Sequence, residues 1–131
     1  MPRTVIRIVA LTSSLALVFA LGTASPAAAD DEVRRRGDCS GGPGDWVLRV
    51  RREDAGRLRV RFKIDDVAAG QSWQLFLSDD GTRIYSGTKT ASSSGEVRVS
   101  LLTTNRAGTD RIAASGVNTR IGTTCEGSLS Y

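Results

Sequence analysis

Arg57-Leu58-Arg59-Val60-Arg61-Phe62-Lys63-Ile64 alternates cation with apolar residue without a break. Successive side chains of an extended strand point to opposite faces, so Leu58, Val60, Phe62 and Ile64 share one face and the cations the other. Wound into a helix, the same residues would scatter arginine around the whole barrel. The stretch is therefore predicted as a half-buried strand, with one face for a core and one for solvent.

The pattern extends in both directions. Upstream, Trp46, Leu48 and Val50 alternate with Val47, Arg49 and Arg51, and Glu53-Asp54-Ala55-Gly56 makes the link short enough for an antiparallel hairpin. Downstream, Trp73, Leu75 and Leu77 form the inward set of a third strand. Asp80-Gly81 then signals a tight turn into Arg83-Ile84-Tyr85-Ser86. A Ser/Thr-rich loop over Thr88–Ser94 precedes Val97, Val99 and Leu101, which alternate with Glu96, Arg98 and Ser100. After a polar loop, Thr103–Asp110, Ile112 and Ala114 face inward, and Asn118–Gly122 turns the chain. A last strand over Thr124–Tyr131 keeps Cys125, Gly127, Leu129 and Tyr131 on one face. Asp30–Gly44, with its Arg34-Arg35-Arg36 run and Gly41-Gly42-Pro43-Gly44, reads as a flexible end followed by a turn. No stretch beyond residue 30 has the period of a long amphipathic helix. The expected fold is all-β: an immunoglobulin- or fibronectin-like sandwich of about seven antiparallel strands, with a small Greek-key barrel as the alternative.

Residues 1–29 have a different character. Arg3 and Arg7 precede an apolar run, Ile8–Leu21, and a small-residue segment ending Ala27-Ala28-Ala29. A positive start, an apolar middle and a small-residue exit make a cleavable secretory signal peptide. The run is short for a membrane span, which needs about 20 residues. Asp30, Asp31 and Glu32 supply no basic flank to stop transfer. Cleavage after Ala29 leaves residues 30–131 as a single domain with no transmembrane anchor, and the expected location is secreted, extracellular. The net charge of +4 then falls to about +2 with the loss of Arg3 and Arg7, too small a balance to favour nucleic acid as a partner.

Cys39 and Cys125 are the two cysteines of the chain. An exported compartment permits oxidation, so they are expected to form one structural disulfide. Closing so long a loop stabilises by roughly 4–5 kcal/mol on the chain-entropy view. Their spacing is not that of a Cys-x-x-Cys redox unit. The chain contains no histidine, which argues against a zinc site and a hydrolytic triad alike.

The cations at Arg49, Arg51, Arg57, Arg59, Arg61 and Lys63 are the candidate anion- or partner-binding residues. If the first two strands pair, these crowd one exposed surface. Like charges opposite one another destabilise a sheet, which suggests retention for an anionic partner. A solvated face neutralised by Asp65, Asp66 and Glu96 is the competing explanation, since arginine stems also cover apolar surface and guard strands against edge pairing. Asp65-Asp66 and Asp79-Asp80 offer adjacent carboxylates, but no Asp-x-Asp-x-Asp-Gly loop exists and Asp79-Asp80-Gly81 has an ordinary turn explanation. Asn105–Arg111 is read as a structural loop, with Asp110 accepting hydrogen bonds from nearby backbone or Arg111. Trp46 and Trp73 fall on the inward parity, whereas Phe76 and Tyr85 look outward. No catalytic residue, metal site or cofactor is expected.

Several motifs carry a resemblance: Cys39-Ser-Gly, Trp46-x-Leu48, Asp80-Gly81-Thr82-Arg83, Asn105-Arg-Ala-Gly-Thr-Asp-Arg111 and Thr124-Cys-Glu-Gly-Ser128. With them, Cys39–Tyr131 resembles a group of small secreted β-sandwich proteins of actinobacteria that has no assigned activity. The resemblance implies secretion, one disulfide and a β-sandwich, and transfers no catalytic residue. A weaker likeness is to chromoproteins of the neocarzinostatin type, which usually carry two disulfides where this chain can form one. The resulting expectation is a secreted, non-catalytic binding or interaction domain for an anionic cell-envelope polymer or an extracellular protein. A structural, envelope-associated role and a secreted enzyme inhibitor are the alternatives.

Overall fold

The structure is a computed structural model that describes residues 31–131. The signal peptide read at 1–29 lies outside the described residues. Eight strands follow one another: β1 Glu32–Asp38, β2 Asp45–Asp54, β3 Arg57–Asp65, β4 Ser72–Asp79, β5 Thr82–Thr90, β6 Val97–Thr104, β7 Arg111–Asn118 and β8 Thr123–Ser130. They form two four-stranded antiparallel sheets, in the orders β1-β2-β3-β6 and β5-β4-β7-β8. The protein is thus an all-β sandwich.

Period-two alternation builds the core. In β3, Leu58, Val60, Phe62 and Ile64 are all buried. Opposite them in β2 stand Val50, Leu48 and Trp46, and in β6 Val99 and Val97. The second sheet contributes Trp73, Leu75, Leu77, Ile112, Ala114, Cys125 and Leu129 to the same core. Asp80 and Gly81 connect β4 to β5 with φ of 48° and 82°, the positive angles that a type I′ hairpin turn requires at both central positions.

Three segments differ from expectation. The presumed flexible end contains β1, which pairs with β2 from Glu32↔Arg51 to Asp38↔Asp45. The arginine run hid it: Val33 pairs with Val50 over the core, whereas Arg35, of the same parity, is exposed because β1 is an edge strand. β5 runs on to Thr90, into the presumed Ser/Thr loop. Tyr85 also turns inward. The register shifts between Leu77 and Ser78, so Tyr85 pairs with Leu77 and packs against the core while Arg83 pairs with Ser78. A bulge reverses parity beyond it, and nothing in the residue pattern marks one at Ile84.

Along one side of the sandwich, β1 lies against β8. Ser40 and Thr124 exchange backbone hydrogen bonds of 2.8 and 2.9 Å, and Cys39 is bonded to Cys125 across a separation of 86 residues. The Trp46 indole fills this side, between two glycines. A Cβ at Gly37 would come within 2.8 Å of the ring, and one at Gly127 would overlap it. Two missing side chains make room for the largest one.

Candidate functional site

The expected cationic surface is the outer face of β1-β2-β3-β6, where register sorts the charges into rows. Asp38, Asp45 and Asp65 form the first. Arg36, Val47, Lys63 and Arg98 form the next, followed by Arg34, Arg49, Arg61 and Ser100. Glu32, Arg51, Arg59 and Leu102 come after, and Arg57, opposite Asp54, closes the ladder. All six candidates, Arg49, Arg51, Arg57, Arg59, Arg61 and Lys63, therefore share one face. Pairing alone could not reveal Arg34, Arg36 and Arg98. The first two needed β1 to be recognised as a strand; the third needed the sheet order that brings β6 beside β3.

Acids neutralise both ends of the ladder. Glu53 contacts Arg59 at 3.1 Å and Arg51 at 3.5 Å, while Asp54 contacts Arg57 at 2.6 Å. Lys63 reaches Asp65 at 3.1 Å and Glu96 at 3.9 Å, and Arg98 also pairs with Glu96. The hydrogen bond from Arg59, aided by the surrounding guanidinium charges, holds the Glu53 carboxyl below its usual value. At the opposite end, burial and then the approach of Asp66, with the charges of Asp65 and Asp38, pushes the Asp45 carboxyl up.

The middle row has no such contact, and Arg61 acts on Glu53 only as a nearby charge. Arg34, Arg49 and Arg61 are direct cross-strand neighbours, and none forms an ion pair among the described residues. At a strand spacing of about 4.8 Å, three guanidinium stems start within roughly 10 Å of one another. A shallow groove of about 440 Å³ runs beside them, lined by Val47, Arg49, Arg61, Lys63, Arg98 and Ser100. That size suits a small ligand or a polymer segment. Val47 gives the groove an apolar floor, and the guanidinium groups supply forked donors suited to phosphate and carboxylate.

The remaining sequence candidates lie elsewhere. Trp46 and Trp73 are in the core, as their parity implied. Phe76 faces outward on the other sheet with the Arg83 guanidinium 4.6 Å above its ring. Asp66 sits in the crossover from β3 to β4 with a φ of 58°. Asp80 caps a turn, its carboxylate accepting the Arg111 N–H at 2.8 Å. Asp110 departs from expectation: its carboxylate is buried and accepts no hydrogen bond among the described residues. Comparison with protein-family models and with curated proteins gives no match.

Proposed function

We propose that the protein is a secreted, non-catalytic binding domain whose β1-β2-β3-β6 face takes an anionic polymer of the cell exterior. The observation that carries this reading is the row Arg34–Arg49–Arg61, aligned across three strands without an acid, in a sheet that neutralises its cations at both ends. Like charges set opposite one another cost stability, and a bound polyanion turns that cost into affinity. The groove beside the row gives the polymer a seat. The Cys39–Cys125 bond supports an oxidising destination. The non-catalytic part of the reading rests on the absence of histidine from the sequence and of free thiols among the described residues.

The immunoglobulin- or fibronectin-like label belongs to the same proposal, as does kinship with the small exported actinobacterial proteins. Without β1, the order β2-β3-β6 over β5-β4-β7-β8 follows the antibody constant-domain scheme, except that the fourth of the seven strands has moved to the opposite sheet.

Retention on purified bacterial cell walls carrying a phosphodiester polymer tests the binding role. Replacing both Arg49 and Arg61 by Gln is expected to weaken binding roughly tenfold or more, at about 1 kcal/mol for each lost cation. Raising salt should weaken the parent in the same direction. Arg83→Gln with Arg111→Gln on the other sheet should leave retention unchanged. Equal retention of the Arg49/Arg61 variant and the parent at every salt concentration would sink the reading.

A further inference from the structure

A second site lies at one end of the sandwich, away from the cationic row. Asp79 ends β4, Asp80 opens the turn that follows, and Asp110 immediately precedes β7. Pairing of β4 with β7 brings them together. Asp79 stands opposite Ile112, and the Asp80 N–H donates to the Arg111 carbonyl at 2.9 Å. Asp110 is held from the other side by paired backbone hydrogen bonds with Tyr131 at 2.9 and 2.8 Å. One carboxylate oxygen from each of the three aspartates lies within 4.8 Å of the others.

Burial separates this cluster from an ordinary acidic surface. Asp110 is 0% exposed and Asp79 1% exposed. Both Asp110 oxygens and Asp79 Oδ1 have no hydrogen-bond partner among the described residues. Asp79 Oδ2 accepts one bond, from the Thr103 hydroxyl at 3.3 Å. Among the described residues no guanidinium forms an ion pair with Asp79 or Asp110: Arg106 acts on Asp79 only as a charge, and Arg111 extends toward Ser128. Burial, followed by the charges of Asp110 and Asp80, pushes the Asp79 carboxyl above its ordinary value. A buried carboxylate without a partner is among the costliest arrangements a protein can hold, and a cation or a proton relieves it.

We propose that Asp79, Asp80 and Asp110 bind one calcium ion. The donors are all oxygen and anionic, the set a hard divalent cation takes. Calcium–oxygen distances of about 2.3–2.6 Å place ligands on opposite sides of the ion up to roughly 5 Å apart, a span that contains this cluster. Asp79 and Asp110 form the dry side of the site. Exposed Asp80 leaves the other side open to solvent, where water completes the coordination. Asp80 is oriented by the Arg111 N–H on its Oδ1, which leaves its Oδ2 for the ion.

Calcium titration of the full protein by calorimetry, together with thermal unfolding at pH 7, tests this. A dissociation constant near 10⁻⁴–10⁻³ M is expected, the range of extracellular calcium modules. At 10 mM calcium the Tm should rise by about 5 °C or more, and chelator should reverse the rise. Asp110→Asn should abolish the response while leaving the calcium-free protein at least as stable as the parent, since it removes a buried charge. The titration of the parent stands alone if that variant does not fold. No calorimetric signal and no Tm rise at 10 mM calcium overturns the site. So does an equal rise in sodium chloride of matched ionic strength, or stabilisation by acid with none by calcium, the signature of a shared proton.

Discussion

The two outer faces of this sandwich are made by the same pleat and differ in nearly everything else. One carries Arg34, Arg36, Arg49, Arg51, Arg57, Arg59, Arg61, Lys63 and Arg98. The other presents Gln74, Phe76, Ser78, Ser86, Ala113, Ser115 and Ser128, with Arg83 laid over Phe76 and with Arg111 and Glu126 its other charges about the depression. Both face depressions of similar volume, about 440 Å³ and 430 Å³, so size does not distinguish them. Chemistry does. Alternation constrains the inward half of each strand and leaves the outward half free, and this chain used that freedom for a charge ladder on one sheet only.

Contrasting the inner and outer positions of a single strand should produce the largest effect. Gly127→Val drives a side chain into the Trp46 ring and is expected to destabilise by about 2–3 kcal/mol, lowering Tm by roughly 10 °C or more. Ser128→Val, one position along and facing out, should stay within about 0.5 kcal/mol. Equal losses on thermal unfolding would break the distinction between inner and outer positions.

A smaller effect separates the two outer faces. Arg61→Thr relieves the row without ion pairs and should stabilise by about 0.5 kcal/mol in chemical denaturation, more at low salt than at high. Ser115→Thr on the opposite face should show no salt-dependent gain. A loss of stability in Arg61→Thr would mean that the row supports the fold, contrary to the cost expected of its aligned cations.

The smallest effect concerns the end of the ladder. The Glu53 carboxyl is held below its ordinary value of 4.5, so its contact with Arg59 stabilises the folded state fully above that pH. The contribution fades as pH falls from 4.5 to the lowered native value, because the unfolded state then binds a proton that the folded state still excludes. The Tm difference between the parent and Glu53→Gln should therefore close on acidification below pH 4.5 and stay constant above it. A difference that widens on acidification would contradict the pairing.

Much of this was legible in the residues. Leu58 to Ile64 announced a strand, Asp80-Gly81 the turn from β4 to β5, and the outward parity of six cations their common face. What stayed hidden depends on long-range pairing. Arg34 and Arg36 join the face only because β1 docks beside β2, and Arg98 only because β6 returns beside β3. Asp110 reads as a loop residue until β7 pairs with β4 and carries it against Asp79. Local alternation reports which way a side chain points; sheet order, which arises from packing, decides what it points beside.

The bond between Cys39 and Cys125 turns most of the domain into a covalent ring of 86 residues' separation. The exposed residues 106–109 and the Ala55-Gly56 turn both lie within that ring. A protease that cuts either one opens the circle without releasing a fragment. In an oxidising compartment a nicked molecule would keep both sheets, and its ladder of charges, on one connected chain until the disulfide itself is reduced.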